Sequence, residues 1–152
     1  MKLYSYYRSS CSWRVRIVLY WKGCDGFEYI PVNLLEGKQR DPDYTNLNPS
    51  GFVPLLVLDD GQTLSQSVAI MEYLEETIPT NPLYPQDLYL KAVVRQAVLM
   101  IAADCQPLQN LNVIRAFGDQ GPHWAHQVIE RALLAFQSAI VERFGGLYCV
   151  GD

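Results

Sequence analysis

Six consecutive residues, Ser9-Ser10-Cys11-Ser12-Trp13-Arg14, bring three hydroxyls, a thiol and a guanidinium to the junction of a strand-like run and a helical one. The start of a helix exposes unpaired N–H groups and a partial positive charge. Such a place stabilises an anion, a thiolate included, and nearby hydroxyls can donate to it. Arg8 and Arg14 add positive potential. The plainer reading is that Ser9 or Ser10 only caps a helix and Cys11 is a small buried residue. A cluster of basic residues around the run adds weight to a site, although on charge alone ordinary solvated helix charges are the simpler reading. The first 24 residues hold Lys2, Arg8, Arg14, Arg16 and Lys22 and no acid, in a chain of net charge −4, so the remainder carries −9. A basic island in an acidic protein suits a small anionic ligand. The overall sign argues against nucleic acid as a partner.

Three further groups bear on a binding site. Val53-Pro54 stands just before an apolar strand, where a cis bond would leave the preceding backbone open to an extended ligand; local sequence alone leaves the isomer undecided. Gln66-Ser67 opens a helix after a hairpin, and N–H groups there can accept a carboxylate, or Ser65 can simply cap it. The amides of Gln106, Gln109, Asn110 and Asn112 flank Pro107 and can line a polar cleft or lie on the surface. No metal triad, phosphate loop or Ser-His-Asp set is visible. His123 and His126 have no third ligand in view, and the four cysteines (Cys11, Cys24, Cys105, Cys149) are scattered without a C-x-x-C, so no metal is expected.

The elements that must position these groups follow from periodicity. Lys2–Tyr6 reads as a strand, Trp13–Lys22 as a helix ending at Gly23, and Phe27–Val32 as a second strand, giving a right-handed βαβ unit with parallel strands. Asn33–Asn48 is mostly polar with one short helix, and Pro49-Ser50-Gly51 is a turn. Leu55–Leu58 and Gln62–Leu64 form a hairpin around Asp59-Asp60-Gly61, and the next helix has Ile70, Tyr73 and Leu74 as its core face. Pro79, Pro82 and Pro85 mark a linker. Beyond it, Val94, Val98, Ile101, Cys105 and Leu108 step by 4, 3, 4 and 3 along one helix, Phe117–Pro122 is a loop, and Ile129, Leu133, Phe136 and Ile140 line a second helix ending near Gly145. The fold class is therefore α/β for residues 1–80 and all-α for 87–152. With 49% apolar and 18% charged residues among 152, the chain is globular, and no apolar run approaches the roughly 20 residues of a membrane span. The N-terminus lacks the pattern of a secretory signal, so a reducing, cytoplasmic setting is expected.

Together these motifs resemble the zeta class of the glutathione transferases. The run Ser9–Ile17 looks like that class's signature; Asn48-Pro49, Val53-Pro54, Gln66-Ser67, Glu72–Glu76 and Gln106–Leu111 match in order and spacing. The resemblance covers nearly the whole chain. It implies a thioredoxin-like N-terminal domain, an all-helical C-terminal domain and glutathione as cofactor. It implies a cis Pro54, with the Val53 backbone pairing with the cysteinyl part of glutathione. Gln66 and Ser67 would take the γ-glutamyl carboxylate, and Gln39 would help hold the peptide. Ser9 would donate to the sulfur, with Ser10 and Cys11 beside it; Gln106, Asn110 and Asn112 would reach in from the helical domain. Asn112 stands where the family more often has a small residue.

The implied reaction is isomerisation of maleylacetoacetate to fumarylacetoacetate in tyrosine and phenylalanine catabolism, with glutathione thiolate as nucleophile and with zeta-class transferase activity. Arg8 and Arg14 would attract the carboxylates of the small dicarboxylate substrate. The expected assembly is a homodimer, with no nucleic acid or membrane partner. Related activities on maleylpyruvate or α-haloacids form one alternative; a truncated, non-catalytic glutathione-binding module forms another. A glutaredoxin-like reductase would need a second thiol near Cys11, and none is seen. Family members continue past the position where this chain stops, so the helical domain is expected to be incomplete.

Overall fold

The computed structural model describes residues 1–151. The chain divides into two compact units, one spanning Met1–Leu83 and one from Tyr84 onward.

In the first unit, strand β1 (Lys2–Ser5) leads into helix α1 (Ser10–Trp21) and strand β2 (Glu28–Pro31). A short 3-10 turn (Lys38–Arg40) and helix α2 (Pro42–Thr45) follow, then strands β3 (Leu55–Val57) and β4 (Thr63–Ser65) and helix α3 (Ser67–Thr77). The sheet order is β2-β1-β3-β4. As expected, β1 and β2 run parallel; β3 is antiparallel to β1, and β4 to β3. Side chains alternate across the sheet. Leu3 and Leu56 point to the face covered by α1 and α3, where they join Val15, Val18, Leu19, Ile70 and Leu74. Tyr4, Leu55 and Val57 point to the other face and meet Tyr6, Val32, Tyr44 and Val53. Each fully buried Leu contributes about 1.5–3 kcal/mol, so both faces of this small sheet are anchored.

Helix α1 begins at Ser10, three residues before the position expected from periodicity, because Ser9 caps it: its Oγ accepts the Ser12 N–H at 3.2 Å. This puts Ser10, Cys11 and Ser12 in the first turn. At the other end Gly23 adopts φ 75°, and the Gly23 and Cys24 N–H groups reach back to the Tyr20 and Leu19 carbonyls. That Schellman closure favours glycine because a Cβ is strained there. In α3, Ile70 and Leu74 are buried as expected, and Tyr73 is half-buried.

The proline-rich segment is tied down by residues far away in sequence. Lys22 is fully buried; its Nζ pairs with Glu75 at 2.6 Å and donates to the Ile78 and Thr80 carbonyls. Thr80 and Asn81 donate to the carbonyls of Lys22 and Trp21, and the Leu83 N–H donates to the Glu75 carboxylate. Lys22 therefore does not contribute to an anion site, as the charge distribution had suggested.

The second unit is helical but differs in its details. Helix α4 (Leu88–Ala102) is capped by Asp87 and buries Val93 and Ala97, one residue round from the expected Val94 and Val98. It stops before Cys105 and Leu108, because the chain turns into a 3-10 segment (Gln106–Gln109) whose Pro107 has no N–H to continue an α-helix. Helix α5 (Leu111–Ala116) follows. The expected loop at Phe117–Pro122 is instead a 3-10 turn (Gly118–Gln120) and the start of helix α6 (Gly121–Phe136), with Pro122 in the first turn where its missing N–H costs nothing. A π-helical turn (Gln137–Val141) and helix α7 (Glu142–Phe144) complete the order. The buried positions of α6 are Gly121, Ala125 and Val128, while Ile129 and Leu133 are 36% and 53% exposed. A Cβ on Gly121 would lie 2.2 Å from the Ile114 carbonyl oxygen. Close approach of α5 thus selects the small-residue face over the larger apolar one.

Candidate functional site

Topology brings the candidate residues of the first unit to one edge of its sheet. Ser9 follows the C-terminal end of β1. Strand β3 runs the other way, so Val53-Pro54, just before it, lies at that same end. Strand β4 reverses again, so Gln66 and Ser67, just after it, lie there too.

Two helices start at this edge. At α1 the turn is set by a Ser9 N–H bond to the Tyr6 carbonyl and by Trp13 Nε1 donating to the Tyr7 carbonyl at 2.9 Å. Because Ser9 Oγ accepts from the Ser12 N–H, its own proton is directed elsewhere and is available as a donor. Ser10 is exposed and Cys11 half-buried in this first turn. At α3, Gln66 sits before the first helical residue with φ 71° and ψ 112°, and its side chain makes no capping bond. A non-glycine residue held in such a conformation is strained, a condition that clusters at ligand sites. The first-turn N–H groups of α3 are left for a ligand.

The basic island is divided by the fold. Arg14 Nη1 donates to Ser67 Oγ at 3.1 Å, so its guanidinium serves the start of α3. Ser67 is buried, and the Arg14 bond again leaves the hydroxyl proton free to donate outward. Arg16 lies over the Trp13 ring, Lys2 pairs with Glu28, and Arg8 is exposed in the turn before Ser9. Of the two arginines expected to attract substrate carboxylates, Arg8 stands exposed before α1 and Arg14 is bonded to the start of α3.

The Val53–Pro54 bond is cis, and both residues are buried. Among the described residues no main-chain hydrogen bond engages either backbone group of Val53. Gln39 lies in the 3-10 turn across from Gly51, whose Cβ, if present, would be 3.1 Å from the Gln39 carbonyl oxygen. Gln39 Oε1 and Arg14 Nη2 are buried atoms without a hydrogen-bond partner among the described residues. An acceptor and a cationic donor left unpaired at one sheet edge suit a ligand carrying both amide and carboxylate groups.

Tyr44 and Asn48 were not identified as site residues from sequence, although Asn48-Pro49 was part of the recognised pattern. Tyr44 Oη and Asn48 Nδ2 both donate to the Phe52 carbonyl, at 2.6 and 2.7 Å. Burial holds the Tyr44 phenol above its usual range, the Asn48 bond opposing and the Tyr4 neighbour reinforcing that shift. Its hydroxyl therefore stays protonated, and a donor, through neutral pH. Burial, with Tyr7 adding to it and Arg8 opposing, likewise raises the Tyr6 phenol, which disfavours a phenolate there.

The remaining candidates belong to the second unit. Gln106 opens the 3-10 segment. Asn110 caps α5: its Oδ1 accepts the Asn112 and Val113 N–H groups, and its Nδ2 donates to the Pro107 carbonyl. One amide proton of Asn110 is left for a ligand. Asn112 is exposed in the first turn of α5, and His123 and His126 are exposed on α6. No metal-binding cluster occurs among the described residues, and no described helix is long and apolar enough to cross a membrane.

Residues 8–77 match the family described as glutathione S-transferase, N-terminal domain. The maleylacetoacetate isomerase of Mus musculus is 48% identical over 153 residues, covering 99% of this chain and 69% of the relative. A glutathione S-transferase zeta class protein of Euphorbia esula is 43% identical over 157 residues, covering 100% of this chain and 68% of its own length. A crystal structure of maleylacetoacetate isomerase from Methylobacterium extorquens AM1, with bound malonate and glutathione, superposes with a TM-score of 0.94 at 32% identity, over 100% of this chain and 74% of that one. Its sheet unit thus has the thioredoxin-like fold of the glutathione transferases. The chain belongs to their zeta class.

Proposed function

We propose that this chain binds glutathione at the sheet edge of its first unit and catalyses the cis–trans isomerisation of maleylacetoacetate to fumarylacetoacetate. The observation that carries this reading is the convergence of Ser9, Val53 and Gln66-Ser67 on one edge, with serine oxygens that already accept from the protein and a Val53 backbone that makes no main-chain hydrogen bond among the described residues. A carboxylate at Ser67 meets the start of α3 and the Arg14 guanidinium. Val53 pairs with the peptide and Gln39 supports it. The Ser9 hydroxyl, with Ser10 and Cys11 alongside, stabilises a thiolate at the start of α1. When bound, glutathione supplies the nucleophile, whose reversible addition to the cis double bond permits rotation to trans. The chain's own residues bind it, favour its ionised form and orient the substrate. Arg8, exposed beside Ser9, is assigned to a substrate carboxylate; Gln106, Asn110 and Asn112 are assigned supporting contacts. A homodimer in the cytoplasm, acting in tyrosine and phenylalanine breakdown, completes the reading.

Steady-state isomerisation of maleylacetoacetate with and without glutathione tests it, alongside calorimetric titration of glutathione. Glutathione-dependent turnover is the expected result. Binding without turnover would reduce the chain to a glutathione-binding module, and faster turnover of maleylpyruvate would change the substrate.

A further inference from the structure

We propose that Tyr44 and Asn48 are positioning residues that aim the Val53 N–H at the glutathione peptide by clamping the Phe52 carbonyl. This rests on the reading that the first unit binds glutathione.

The argument is geometric. The Phe52 carbonyl and the Val53 N–H belong to one peptide plane, and in a trans peptide they point in opposite directions. The cis bond lies one residue later, at Val53–Pro54, so the Phe52–Val53 peptide is trans. Tyr44 and Asn48, 5% and 3% exposed, draw the carbonyl inward with donors at 2.6 and 2.7 Å. The Val53 N–H must then point away from that pair. The clamp is itself braced. Ser50 Oγ donates to Asn48 Oδ1 at 2.7 Å, which fixes the amide so that its NH2 faces Phe52. The Asn48 N–H bonds the Tyr44 carbonyl at 2.9 Å, which fixes the spacing of the two donors. Gly51 adopts φ 64° and packs against the Gln39 backbone, so the same brace sets Gln39 and Val53 relative to each other. Neither Tyr44 nor Asn48 touches the ligand; their effect passes through the peptide plane.

The test is calorimetric titration of the full chain and its Tyr44→Phe and Asn48→Asp variants with glutathione and with S-methylglutathione. Tyr44→Phe keeps the ring and removes one donor; Asn48→Asp keeps the shape and replaces the donor with an acceptor. The expected result is a glutathione Kd raised about 10-fold by each variant, the scale of one lost hydrogen bond. S-methylglutathione should weaken by the same factor, because the loss concerns the peptide and not the thiol. At saturating glutathione, kcat and the KM for maleylacetoacetate should stay within about 2-fold, a split that general loosening of the fold would not give. Unchanged Kd in both variants overturns the proposal, as does weakening confined to the free-thiol ligand. Failure of the unsubstituted chain to bind either ligand overturns the glutathione reading instead. If Tyr44→Phe does not fold, Asn48→Asp decides the matter alone.

Discussion

The starts of α1 and α3 lie at the same sheet edge and solve the same problem differently. Each places a serine hydroxyl that accepts a hydrogen bond from the protein, which leaves its own proton to donate to a ligand. At α1 the inner donor is a backbone N–H, from Ser12 to Ser9. At α3 it is a charged side chain, Arg14 to Ser67. The first start is capped and unstrained; the second has no side-chain cap and holds Gln66 at φ 71°. A capped start with a neutral donor suits a soft, weakly hydrated thiolate. An uncapped start backed by a guanidinium suits a strongly hydrated carboxylate, whose desolvation needs more donors.

The largest expected effect removes both starts together. Lys22→Met removes the buried ammonium that pairs with the half-buried Glu75 and donates to the Ile78 and Thr80 carbonyls, and costs about 3 kcal/mol in urea-induced unfolding. A loss under 1 kcal/mol would show that the two starts do not depend on this pair. Next, Ser9→Ala should separate them. Isomerisation kcat is expected to fall about 100-fold, the effect of losing one donor to a reacting anion, with glutathione affinity changed far less. Kinetics paired with calorimetry reads both. Ser67→Ala is expected to do the reverse, weakening glutathione about 10-fold while kcat at saturation moves less than 3-fold. Equal kinetic profiles for the two serine variants would erase the distinction drawn above. The smallest effect is Gln66→Gly, which relieves the backbone strain. It should raise stability by about 1 kcal/mol, read as a higher urea midpoint, while lowering glutathione affinity.

The first unit was legible because its information is local. The short run Lys2–Tyr6 marks β1, the compact apolar run Leu55–Leu58 marks β3, Gly23 closes α1, and the run from Ser9 to Arg14 follows directly on a strand. What sequence missed there depends on distance along the chain. Nothing near Lys22 announces a carboxylate at Glu75, and Arg14 gives no sign that it will reach Ser67 rather than stand with Arg8. Tyr44 and Asn48 share one acceptor only because Gly51 folds the chain back. In the second unit Cys105, Phe136 and Ile140 reach the core as their spacing suggests, whereas Val94, Val98, Ile129 and Leu133 give way to neighbouring positions. Helical spacing holds for Ile129 and Leu133 as well as for Ala125 and Val128, and hydrophobicity favours the former pair. The choice was made by Gly121, which lets Ile114 approach within a distance that no larger residue tolerates. Periodicity shows that a helix has a face; the partner's backbone decides which one.

The buried Lys22–Glu75 pair also bears on how the first 83 residues assemble. A state that packs α1 against a misplaced α3 would desolvate the Lys22 ammonium without supplying Glu75 and the Ile78 and Thr80 carbonyls that satisfy it. Partly formed states are therefore penalised more than the complete one is rewarded. The pair adds little net stability, yet it sharpens the transition, so that β1-α1-β2 and β3-β4-α3 appear together as one cooperative unit.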